Sequence, residues 1–373
     1  MGLNPTALPD FPWDSLVPFR TTAAAHADGI VDLSVGTPVD PTPDVARDAL
    51  AAAADAPGYP TTQGTIGLRE AVVEWFARRR GVSGLDVDAV LPTIGSKEFV
   101  ALLPALLGLG AGDVVVIPNV AYPTYDVGAR LVGATTIATD DPADWAGNPD
   151  VALVWLNSPS NPTGSVLGAD RLAETVAQAR SLGAVVASDE CYAELAWNGP
   201  WRETGVPSLL APEACGGSFD SLVVAYSLSK QSSLAGYRAA FAAGDPAIIG
   251  RLLQVRKHLG FMMPAPVQAA MTAALADDDH VARQREVYGA RRAALLPALE
   301  EAGFRVDGSE AGLYLWATRG EDCWETIAWL ADAGILAAPG AFYGEAGKRH
   351  VRVALTAPDA RIHEAVRRLT VAR

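Results

Sequence analysis

Between about residues 90 and 245 the chain repeats one pattern, a short apolar run of strand length followed by a stretch with helical spacing. The apolar runs are 114–117, 151–156, 184–187 and 222–225, and the helical stretches include 169–182. Strands apolar along their whole length are buried on both faces, and intervening helices supply the cover. The pattern therefore predicts an α/β domain built on a mainly parallel sheet. Beyond about 250 helices dominate, at 247–258, 265–275, 281–302 and 360–371, with short strands near 314–317 and 351–355. They predict a second, smaller α+β domain. Residues 66–80 read as a helix from Leu68, Val72, Trp75 and Phe76, with basic residues at its end. Residues 1–44, rich in Pro, Thr and Asp around the apolar segment 30–35, read as an extended arm and a strand rather than a helix. The expected division is 1–44 as arm and part of the small domain, 45–245 as the large domain and 246–373 as the small domain.

Composition narrows the partners. A net charge of −14 repels phosphate backbones and anionic lipid, so neither nucleic acid nor a membrane surface is expected to bind. Half the residues are hydrophobic, enough for a large core. Cys191, Cys215 and Cys323 are far apart and in no metal-binding spacing, which predicts neither disulfides nor a metal site and fits a reducing cytoplasm. Residues 1–14 do not read as a secretory leader. Residues 2–6 match the short myristoylation pattern without a second anchor, and this is read as a chance match.

The ends of the predicted strands carry the chemistry. The run 151–156 leads into Asn157-Ser158-Pro159-Ser160-Asn161-Pro162-Thr163-Gly164. The run 184–187 leads into Ser188-Asp189-Glu190-Cys191-Tyr192, and 222–225 into Tyr226-Ser227-Leu228-Ser229-Lys230. Ligands in open α/β sheets sit beyond the carboxyl ends of the strands. One edge thus gathers an amide, a carboxylate, a phenol and an amine, and the amine belongs to one of only four lysines, Lys97, Lys230, Lys257 and Lys348. A lysine amine forms a Schiff base with a carbonyl cofactor. A carboxylate keeps a pyridine nitrogen protonated, and amide and phenol donors reach a ring oxygen. A phosphate handle is expected at Gly95-Ser96-Lys97, before an apolar helical stretch, with Arg238, Ser227 and Ser229 as further donors. Each residue also has an ordinary reading: Lys230 as a surface lysine, Asp189 as a helix cap, Tyr192 and Asn161 as turn or core residues, Arg352 as a surface ion-pair residue.

Together these stretches resemble the class I/II aminotransferases over nearly the whole chain. Ser227-Leu228-Ser229-Lys230 through Gly236-Tyr237-Arg238 is similar to their lysine signature, and Asn161-Pro162-Thr163-Gly164, Asp189-Glu190-Cys191-Tyr192 and Gly95-Ser96-Lys97 follow in the family's order. The resemblance implies pyridoxal 5′-phosphate as cofactor, an aspartate aminotransferase-like fold and a homodimer with a shared site. It implies Lys230 as Schiff-base lysine and proton shuttle, Asp189 on the pyridine nitrogen, and Tyr192 and Asn161 at the ring oxygen. Ser96, Lys97 through its backbone, Ser227 and Arg238 are implied at the phosphate. Tyr122 matches the stacking aromatic, and Tyr59 the tyrosine that reaches the partner subunit's phosphate. Arg352 matches the arginine on the substrate α-carboxylate, and Gly36 the glycine beside it.

Within the family, Asp10-Phe11-Pro12-Trp13-Asp14, residues 31–40 and Lys257-His258 with Met262-Met263-Pro264 resemble actinobacterial N-succinyldiaminopimelate aminotransferases of lysine biosynthesis. That likeness implies N-succinyl-2-amino-6-ketopimelate, glutamate and 2-oxoglutarate as partners, with Arg20 and Lys257 as candidate contacts to a distal acid. Another aminotransferase specificity, a carbon–sulfur lyase and a non-catalytic sensor remain the alternatives.

Overall fold

The computed structural model describes residues 8–9 and 11–371, so the 2–6 pattern lies outside the described residues. The predicted runs become the centre of a seven-stranded sheet. Its order is Val90–Ile94, Ala239–Gly244, Leu222–Ser227, Val185–Asp189, Val151–Asn157, Val114–Ile117 and Thr135–Ala138. Only Ala239–Gly244 runs antiparallel to its neighbours; every other pairing is parallel. The register sets Asn157 opposite Asp189 and Asp189 opposite Ala225, which aligns the carboxyl ends of three strands. Helices cover both faces. Trp75, Phe76, Tyr226 and Phe241 pack on one side, and Phe99, Tyr125 and Trp155 on the other.

A second cluster holds the small antiparallel sheet Ala338–Pro339, Val351–Ala354, Tyr314–Thr318 and Arg305–Asp307. The helices Asp278–Glu301, Cys323–Asp332 and Asp359–Val371 pack on it. Val31–Asp32 pairs in parallel with Ile335–Leu336, and Val31 and Leu33 pack in this second cluster.

Several elements differ from the sequence reading, among them the unforeseen strands Val90–Ile94 and Thr135–Ala138. The expected arm holds a helix, Val17–Ala24, and its strand shrinks to Val31–Asp32. Short helices are marginal alone and form where packing stabilises them. Here Phe19 stacks on Trp324 at 5.6 Å. The long helix starts earlier, at Asp278, because the Asp277 carboxylate accepts the Asp279 N–H. The strand Ala239–Gly244 was not predicted, since Ala-Ala-Phe-Ala-Ala-Gly lacks β-branched residues; backbone pairing on both sides holds it.

Candidate active site

A cavity of about 560 Å³ opens at the aligned strand ends, between the large sheet and the small domain. Every predicted site residue lines it except Gly95, directly behind its wall, and Tyr59. Tyr59 is 95% exposed on this chain and outside its cavity. Arg20 and Lys257, considered for a distal acid, are not brought there. Arg20 bonds Asp32 at 2.7 Å, and Lys257 reaches Gln254 on its own helix at 3.4 Å.

One end of the cavity gathers groups able to bind an anion. The twelve-residue helix Ser96–Leu107 begins at the cavity wall, behind Gly95 at φ 76°. The first N–H groups of a helix have no partner within it and carry the positive end of its dipole. A Cβ at Gly95 would stand 2.0 Å from an Arg238 nitrogen, so glycine is what lets the guanidinium lie on the turn. Arg238 is itself left-handed at φ 56°, and its carbonyl accepts the Gly95 N–H at 2.8 Å. Ser227 and Ser229 add hydroxyls 2.7 Å apart.

At the sheet edge Asp189 ends its strand at 9% exposure. The Tyr125 hydroxyl and the Cys191 N–H donate to its two oxygens at 3.1 and 3.2 Å. Burial raises its proton affinity, and these donors together with Lys230 only partly offset that. Such a carboxylate is a strong acceptor for a ring N–H. Asn157 donates to the Asp189 carbonyl at 3.0 Å and accepts the Asn161 N–H at 2.7 Å, joining two strand ends. Lys230 donates its amine to the Gly36 carbonyl.

The small domain closes the other end. Arg352, 3% exposed, donates to Asn161 Oδ1 and to the Ser34 carbonyl, each at 2.8 Å, while its Nε has no partner among the described residues. Its guanidinium lies 4.0 Å over the Tyr314 ring. The Tyr314 and Tyr192 hydroxyls are 3.2 Å apart. Burial carries the Tyr192 phenol well above its ordinary range. Burial also raises Tyr314, but Arg352 and Lys230 outweigh it and leave that phenol lowered.

Tyr125 and Tyr314 were missed by sequence reasoning. Tyr125 sits a few residues past Tyr122 inside a helix, and Tyr314 inside an apolar strand; in both cases periodicity reads as core. The side chain of Lys97 is also more than a backbone donor. It lines the cavity with its amine 5.7 Å from the Phe11 and Tyr122 ring centroids, and among the described residues it has no ion-pair partner.

The donor set fits pyridoxal phosphate: anion-binding groups that suit a dianion, a buried carboxylate that suits a ring nitrogen, phenol and amide groups that suit a ring oxygen, and an amine that suits an aldehyde. No group of metal-ligating side chains occurs among the described residues. Among them too, no helix is long and apolar enough to cross a membrane.

Comparison with known proteins gives the same picture. The aminotransferase class I and II family matches residues 28–369. The chain is 59% identical to 4-dedimethylamino-4-oxo-anhydrotetracycline transaminase OxyQ of Streptomyces rimosus, over 97% of this chain and 99% of that protein. It is also 59% identical to the probable aminotransferase Rv1178 of Mycobacterium tuberculosis, over 98% and 86%. Among solved structures, a probable N-succinyldiaminopimelate aminotransferase from Thermus thermophilus superposes with a TM-score of 0.86 at 30% identity, over 97% of this chain and 100% of that one.

Proposed function

The chain belongs to the class I and II aminotransferases, which work with pyridoxal phosphate, and on that premise we propose that it moves an amino group between glutamate and a large keto acid bearing a second acidic group. The acceptor that fits best is N-succinyl-2-amino-6-ketopimelate, a precursor of lysine. The observation that carries this reading is the pair of cations in one cavity, buried Arg352 at one wall and Lys97, which has no ion-pair partner among the described residues, at another.

Bound pyridoxal phosphate supplies an aldehyde that exchanges amines and a ring that accepts the electron pair of the substrate Cα–H bond. Lys230 Nζ takes the Cα proton as general base and later returns it. Asp189, made a strong acceptor by burial, would hold the ring nitrogen in its protonated state. Tyr192 and Asn161 would donate toward the ring oxygen, while Tyr125 and Cys191 keep Asp189 in place. Gly95, Ser96, Ser227, Ser229 and Arg238 would hold the phosphate, and Tyr122 would stand against the ring. Arg352 binds the α-carboxylate beside Gly36, where any side chain would strike the Tyr314 hydroxyl. Lys97 attracts the distal acid. Tyr59 serves the site of a second copy, so the active unit is a homodimer.

The 59% identity to a transaminase of an anhydrotetracycline favours a second reading, in which the acceptor is a bulky ring ketone against the aromatic wall of Phe11, Trp13 and Tyr122. A donor and acceptor screen of the purified yellow protein decides. Stoichiometric 2-oxoglutarate formed from glutamate with the succinylated keto acid supports the first reading. Turnover only with other acceptors removes it and leaves the transaminase assignment standing.

A further inference from the structure

Arg256 lies on the helix Pro246–Leu259, outside the cavity, and is 0% exposed. Its guanidinium grips Glu98 with both terminal nitrogens, at 2.7 and 3.1 Å. Glu98 stands in the first turn of the helix Ser96–Leu107, and its Oε1 also accepts the Ile94 N–H at 2.9 Å. The carboxylate thereby reaches back over Gly95 and pins both sides of the turn that opens the anion cradle. Its negative charge, though, sits a few residues from where the cradle must hold a phosphate. A carboxylate in the first turn stabilises a helix but competes with a bound anion for the same positive end. The bidentate grip of Arg256 cancels that charge while leaving the Ile94 bond intact.

We propose that Arg256 is a positioning residue which, through Glu98, sets the affinity of the Gly95–Ser96 turn for the cofactor phosphate. The inference rests on the phosphate placement proposed above. It differs from a general structural role in one respect: it concerns only the phosphate, so a cofactor lacking that group should not feel Arg256.

The test compares binding of pyridoxal phosphate and of unphosphorylated pyridoxal to the cofactor-free protein, read by absorbance and tryptophan fluorescence. Arg256→Met should weaken pyridoxal phosphate about tenfold, the scale of one charge-assisted contact, and leave pyridoxal unchanged. The double variant Glu98→Gln with Arg256→Met removes the stranded charge and keeps a carbonyl for Ile94; it should recover most of the loss. If Arg256→Met does not fold, Arg256→Lys takes its place, with a smaller loss again confined to the phosphorylated form. Equal losses for both cofactors, or no loss for either, would overturn the proposal. Wild-type protein that binds both cofactors alike would instead show that the phosphate placement itself is wrong.

Discussion

Arg352 of the small domain donates a 2.8 Å hydrogen bond to Asn161 Oδ1, which follows a strand of the large sheet 191 residues earlier in the chain. The bond joins the proposed carboxylate clamp to the proposed ring-oxygen donor. Removing either partner strands a buried polar group in the other domain. Arg352→Lys keeps a charge but loses the planar fork. We expect KM for every amino-acid donor to rise about ten- to a hundredfold in steady-state kinetics, with cofactor absorbance unchanged.

Lys230→Ala removes the base. Turnover should fall by roughly 10²–10⁴-fold or more, and the visible absorbance of the bound cofactor should shift. Unchanged turnover would remove the central assignment.

Tyr125→Phe deletes a single donor to Asp189 while keeping the ring against Trp155. The loss of about 1 kcal/mol should appear as a roughly fivefold drop in kcat, with a folded protein of near-native melting temperature.

Lys97→Met should raise KM about tenfold for acceptors with a distal acid and leave monocarboxylic acceptors unaffected. Equal effects on both classes would count against a role in distal recognition.

His280 is buried, accepts or donates at Ser232 Oγ at 2.8 Å, faces Asp277 and Arg283, and is held by burial below its ordinary 6.5. The unfolded chain therefore takes up a proton at a higher pH than the native one. Stability is at its full value above about pH 6.5 and declines as pH falls from there toward the lowered native value. Denaturant midpoints from pH 5 to 8 should show this slope, and His280→Gln should flatten it.

The sequence alone determined the reactive groups and their rough address. Asn157, Asp189, Ser227 and Lys230 each follow a strand-length apolar run, and a parallel sheet brings such ends to one edge. The glycine at 95 was legible from its place before an apolar helical stretch, and the arginine at 238 from its place eight residues after Lys230. What only the tertiary structure decided was who touches whom. Tyr125 reaches Asp189 across 64 residues and Tyr314 reaches Tyr192 across 122, and the spacing of Tyr125 and Tyr314 marks them only as core. Arg20 and Lys257 show the converse, cations of suitable type that packing directs elsewhere. Periodicity reports which face of an element is buried; the partner on that face is set by the crossing of elements distant in sequence.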